Sequence, residues 1–131
     1  MAMGGYSTVL IAAGEGHLKD ALRAMLVSMP AVMIVEAGDA TEAEVALAEY
    51  RPNLVIIDSA LPGNHTMQLV LAVQNVRPRA RCSILVDNVV QQAAALRAGA
   101  DRAPLKGEPP VRLFAQVEQL LASGRLRQAT A

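Results

Sequence analysis

Apolar residues return along this chain in two alternating rhythms. Short continuous runs rich in β-branched residues, at 8–12, 32–36, 54–57 and 83–86, have the length and composition of strands covered on both faces. Between them the apolar positions recur every three or four residues. Leu18, Leu22, Met25, Leu26 and Met29 form one set, Ala43, Ala46, Leu47 and Tyr50 a second, and Met67, Val70 and Leu71 a third. An Ala-rich stretch at 89–98 is the fourth, and Val111, Phe114, Val117, Leu120 and Leu121 the fifth. Each set reads as a helix, and the second and fifth predict an apolar stripe, the fifth facing inward.

The punctuation agrees with this division. Gly14-Glu15-Gly16 turns the chain after the first strand, and Pro30 stops the first helix. Thr41-Glu42-Ala43-Glu44 is a capping-box pattern opening the second helix. The third helix opens with His65-Thr66, extends to about Val76 and is closed by Pro78; Gly99 suits the residue past the end of the fourth. Residues 101–105 then read as a short fifth strand, confined to a sheet edge by Pro104. Pro110 sits in the first turn of the last helix, which Ser123-Gly124 should end, releasing a basic tail.

Five such units imply right-handed crossovers and a parallel sheet with helices on both faces. Ligands of such sheets bind outside the carboxyl ends of the strands. The block Asn53-Leu-Val-Ile-Ile-Asp58-Ser-Ala-Leu-Pro62-Gly63 is a buried strand that ends in a carboxylate at that edge, so Asp58 is the first candidate for chemistry. Asp ahead of Pro-Gly is also ordinary turn chemistry.

With 131 residues, 53% hydrophobic, and mean hydropathy +0.29, the chain is long and apolar enough for one cored domain, expected over 8–122 with flexible termini at 1–7 and 123–131. Its apolar runs are too short to cross a bilayer, and its start lacks the pattern of a secretory signal, so a cytoplasmic location is expected. The single Cys82 reads as a small buried hydrophobe. Net charge is zero, but residues up to 60 carry 8 acids and 3 bases, and those from 61 carry 4 acids and 9 bases. Arg77, Arg79 and Arg81 read as solvated loop residues. No basic field points to nucleic acid or membrane, and three aromatics give no platform for stacking bases.

Arg51-Pro-Asn-Leu-Val-Ile-Ile-Asp58-Ser-Ala-Leu-Pro-Gly63, Leu96-Arg-Ala-Gly-Ala-Asp101 and Leu105-Lys106, in that order on those elements, resemble a response-regulator receiver domain. The resemblance implies a flavodoxin-like three-layer (βα)5 sandwich with a five-stranded parallel sheet in order 2-1-3-4-5. It implies Asp58 at the phosphoacceptor position and Lys106 at the family's lysine position. It further implies protein partners, a histidine kinase or an output protein, and pairing of two copies through helix four, strand five and helix five.

The chain departs from that pattern where the chemistry lies. Two acids that hold Mg²⁺ after strand one are replaced by Ala13 and Gly14, which offer no side-chain oxygen. Asp58, Ala60 and Glu15 are the remaining weak metal candidates, so no cofactor is expected. Asp87 replaces a hydroxyl residue, and a carboxylate repels a phosphoryl oxygen where a hydroxyl would donate to it. Ala103 stands at the switch-aromatic position, Gly107 where proline often follows the lysine, and His65-Thr66 where Asp-Gly is usual. The expectation is a degenerate, non-enzymatic receiver acting through protein contacts, with Asp58, Asp87 and Lys106 either a pre-paired cluster or vestigial polar groups in a solvated crevice. His17 and His65 read as loop histidines. A different reading is a nucleotide-binding enzyme or sensor, since Gly14-Glu15-Gly16 opens a helix and Glu36 ends strand two; Lys19 occupies the place of that fingerprint's third glycine.

Overall fold

A computed structural model describes residues 6–63, 66–76 and 79–130, with 124–130 described by backbone alone. The order is β1 (Ser7–Ala12), α1 (His17–Val27), β2 (Val32–Ala37), α2 (Ala40–Tyr50), β3 (Leu54–Asp58), α3 (Thr66–Asn75), β4 (Arg81–Leu85), α4 (Val89–Ala98) and α5 (Pro110–Thr130). The strands are parallel in order β2-β1-β3-β4. Successive strand residues alternate between two cores. Leu10, Ala12, Val55 and Ile57 pack with α2, α3 and α4, while Val9, Ile11, Leu54 and Ile56 pack with α1 and α5. Because the two central strands are covered on both faces, their side chains are apolar without alternation over Val9–Ala12 and Leu54–Ile57, until Asp58 reaches the edge.

The expected fifth strand is reduced to two isolated parallel bridges, Ser83 with Arg102 and Val86 with Leu105. The cause is Pro104, which has no N–H to donate. On either side of it the ladder is intact. Arg102 N donates to Cys82 O at 3.2 Å and accepts at its own carbonyl from Ile84 N at 3.1 Å, Val86 N donates to Pro104 O at 3.0 Å, and Lys106 N donates to Val86 O at 2.9 Å. The segment therefore lies beside β4 in the fifth position with one rung missing, and it carries Lys106 to the carboxyl edge.

Several local expectations shift. Helix α2 is capped by Asp39, whose carboxylate accepts from Glu42 N at 2.8 Å while Glu42 Oε1 accepts from Gly38 N at 2.8 Å; the expected box at Thr41 and Glu44 lies too far along the chain, since the cap is at Asp39. Asn88 and Gln91 repeat this arrangement at α4, where Gln91 Oε1 accepts from Asp87 N. Tyr50 and Val111, expected on inward stripes, are exposed, and so are Met67 and Leu71, which mark α3. The buried stripes are instead Ala40, Ala43, Ala46 and Leu47 on α2, and Leu69, Val70 and Val73 on α3. The backbone does not release at Ser123-Gly124, because α5 continues to Thr130. The expected roles of His65, Arg77 and Pro78, and of the segment 1–5, lie outside the described residues.

Arg81 is not solvated, contrary to expectation. Its side chain is 10% exposed; Nη1 lies 3.1 Å from Asp101 Oδ1, and Nη2 donates to Ser123 Oγ at 2.6 Å. Asp101 also takes Arg79 at 3.5 Å and Cys82 N at 2.8 Å, so one carboxylate fastens β4 to the 101–105 segment, and Arg81 carries the tie to α5. Gly99 caps α4 at φ 109° and leaves room for α3 beside it, since a Cβ there would sit 2.0 Å from Gln74 Nε2. Cys82 is fully buried as expected, and burial, reinforced by Asp101, pushes its thiol up to about 12. Removing the carboxylate by Asp101→Ala leaves the Arg81 charge buried without its partner and should destabilise the fold by about 3 kcal/mol. The check is the shift of the urea midpoint, with little change in its slope.

Candidate functional site

Three elements converge at the carboxyl edge of the sheet. β3 delivers Asp58, the turn after β4 delivers Asp87, and the 101–105 segment delivers Lys106. Lys106 Nζ lies 2.7 Å from Asp58 Oδ1 and 3.1 Å from Asp87 Oδ1. Asp58 Oδ1 also accepts from Ala60 N at 2.9 Å, an Asx-type turn that fixes the carboxylate. The side chains of Asp58, Lys106 and Asp87 are 14%, 25% and 55% exposed, so the contact to Asp58 is the more shielded of the two. Desolvation of Lys106 opposes its charge, yet the hydrogen bonds and charges of Asp58 and Asp87 outweigh it and hold the ammonium's pKa above its ordinary value.

The remaining candidates fall differently. Ala13 is 1% exposed, and its N–H is spent on Ala37 O at 3.0 Å. Gly14 packs against Pro62, so that an added Cβ would lie 3.3 Å from the ring. Glu15 is turned away: its carboxylate is 88% exposed and bound to Lys19 Nζ at 2.9 Å. Among the described residues no group of three or more His, Cys, Asp or Glu side chains is placed to hold a metal ion. The donor set does not fit Mg²⁺, whose octahedral shell needs several oxygens, because the one shielded carboxylate is already taken by an ammonium. His17 is exposed at the start of α1.

Ala103 is buried, and its carbonyl accepts from Gln92 Nε2 at 2.8 Å, so a polar side chain of α4 ties the segment before Lys106 in place. Nothing in the sequence singled out Gln92. The Arg23 and Lys19 contacts to Glu36 were equally unforeseen, although Glu15 and Lys19 at i,i+4 spacing were visible. Arg23 grips Glu36 through Nε at 2.5 Å and Nη2 at 2.7 Å, and Lys19, buried on α1, lies 3.7 Å from it. The Arg23 hydrogen bonds lower the Glu36 pKa despite some desolvation. A ribose would find that carboxylate occupied, and Lys19 fills the place a dinucleotide fold keeps bare.

No protein-family model matches the sequence, and no curated protein matches it. Solved structures do resemble the fold. A CheY-like response regulator receiver domain protein from Methanospirillum hungatei JF-1 superposes with TM-score 0.82 at 19% identity, covering 94% of this chain and 99% of that one. A two-component response regulator of the LuxR family from Aurantimonas sp. SI85-9A1 gives 0.80 at 24%, covering 91% and 87%. The receiver domain of a sensor histidine kinase from Pseudomonas aeruginosa PAO1, which has a magnesium ion coordinated in its active site cleft, gives 0.78 at 16%, covering 90% and 99%. The chain has the CheY-like flavodoxin fold of these receiver domains. No helix among the described residues is long and apolar enough to cross a membrane.

Because the folded pKa of Lys106 is raised, its ion pairs contribute in full below about 10.4, the lysine value of an unfolded chain, and are lost as pH rises through the folded value. Lys106→Met should therefore lower stability by a constant amount from pH 7 to about 9.5, and the gap to wild type should narrow only above that. Urea denaturation of both proteins across that range is the check.

Proposed function

We propose that this chain is a receiver domain of two-component signalling in which Mg²⁺-dependent phosphorylation of Asp58 is impaired, and that it works as a non-enzymatic protein-interaction module. The observation that carries the reading is the Lys106 ammonium seated on both Asp58 and Asp87, at 2.7 and 3.1 Å, beside two positions that offer no metal ligand. Phosphorylation would replace the single charge of Asp58 with roughly −1.5 to −2. Among the described residues Lys106 is the cation paired with Asp58, and Asp87 would repel the added charge, whereas phosphoryl transfer relies on metal ions to neutralise it. The ammonium instead holds the 101–105 segment against β3 without any phosphoryl group.

Partners on this reading are a histidine kinase or an output protein, recognised through a surface that does not cycle. Pairing of two copies through α4, the 101–105 segment and α5 belongs to the same reading and rests on exposed Val89, Val90, Leu96 and Val111. Ala95 is fully buried and Asp101 is already paired within the chain, so neither belongs to that surface. Intact mass after incubation with acetyl phosphate and Mg²⁺ tests the central statement. The unmodified mass should persist; stoichiometric addition of one phosphoryl group, abolished by Asp58→Asn, would refute it.

A further inference from the structure

Among the described residues β2 has a neighbour on one side only. The two ends of its ladder, Ser7 N to Ala31 O at 2.9 Å and Ala13 N to Ala37 O at 3.0 Å, together with the register Thr8 to Met33 and Leu10 to Val35, assign the odd-numbered residues of β2 to β1. In a parallel ladder alternate residues bond each neighbour, so the N–H and C=O groups of Val32, Ile34 and Glu36 point away from the sheet. Glu36 is exposed as a residue although its side chain is only 28% exposed, as expected where the backbone itself meets solvent.

Three usual guards of such an edge are missing from the strand itself. The strand Val32-Met-Ile-Val-Glu-Ala37 contains no Lys and no Pro, and its ladder to β1 runs without a bulge. Its one charge, Glu36, is held by Arg23. Beside the edge, under α2, lies a groove of about 340 Å³ lined by Val35, Val45 and Tyr50, with Glu42 and Glu49 among its walls. Met33, next to Val35 on the same face, is 52% exposed, and Val45 and Tyr50 are 59% and 51% exposed. Helix α2 carries three acids and no base.

We propose that the outer edge of β2 is a docking site for an extended, basic and apolar segment of a partner protein, which adds as a strand and lays alternate side chains into the groove under α2. The free backbone row selects an extended chain, because main-chain pairing supplies the affinity and alternate pockets the choice of sequence. The acids select its charge. A second copy of this chain fits less well: a two-fold axis at the edge would set both α2 helices on one face of the joined sheet, with Glu42 and Glu49 of each facing those of the other and no base between them.

The test uses the full chain and the peptide acetyl-Lys-Val-Lys-Val-Lys-Val-Lys-amide. Hydrogen exchange followed by NMR should show the amides of Val32, Ile34 and Glu36 fast in the free protein and slowed by the peptide, while those of Met33 and Val35 stay slow throughout. The same peptide N-methylated at alternate residues, on its bonding edge, should not slow them. Combining Met33→Lys with Glu49→Lys, both at surface positions, should weaken binding about tenfold or more through like-charge opposition. Equal binding of the N-methylated peptide, or no slowing at saturating peptide, would overturn the proposal. Slowing that follows protein concentration without peptide would assign the edge to a second copy and overturn it as well.

Discussion

The arrangement of the carboxyl edge depends on one ammonium between two carboxylates. Asp58 lies at the end of a fully buried strand and cannot move without disturbing both cores, whereas Asp87 and Lys106 sit on connecting segments. At the roughly 3 Å separations seen here, opposite charges attract by several kcal/mol even at an effective dielectric of about 20, a gross figure that desolvation and side-chain ordering reduce. The pairing to the shielded Asp58 dominates, because the more exposed Asp87 is better screened by water. Lys106 thus connects the sheet's central strand to the segment that Pro104 leaves one hydrogen bond short.

That segment is held at three points chemically unlike one another. Asp101 fastens its start to Arg81 and Cys82 N, Gln92 holds the Ala103 carbonyl from α4, and Lys106 holds its end. With the ladder interrupted at Pro104, these side-chain contacts do what a continuous strand would do through backbone alone. A receiver-like switch needs this region to have two arrangements of similar free energy, and a ligand that favours one of them. On the reading proposed above, Lys106 of the same chain supplies the cation that favours one, and the lack of side-chain oxygens at Ala13 and Gly14 belongs with an output face that does not cycle.

Much of this was legible in the sequence because it rests on period and composition. The alternation of β-branched runs with helical stripes gave the element order, and the run from Leu54 to a terminal Asp58 gave the edge and its carboxylate. Lys106 and Asp87 were named from a resemblance, and their contact follows from where the strands end. What pattern could not reveal depends on partners distant in sequence. Arg81 looks like a loop arginine until Asp101 folds beside it, and Tyr50 and Val111 look inward-facing because helical period alone does not fix which apolar residue lies at the margin of the stripe. The cap lies at Asp39 for a local reason: Thr41 to Glu44 has the right residue types, but the chain has already entered the helix at Ala40.

The central claim is that the Lys106 ammonium, and not a divalent ion, neutralises Asp58. Nitrogen-15 NMR of the lysine side chains during a Mg²⁺ titration observes this directly, because an ammonium hydrogen-bonded to carboxylates exchanges its protons slowly and gives a resolved signal that Lys106→Arg removes. The account predicts that the Lys106 signal keeps its position and intensity as Mg²⁺ is raised well above intracellular levels. A saturable shift or loss of that signal, absent in Asp58→Asn, would show a metal displacing the ammonium and would contradict it.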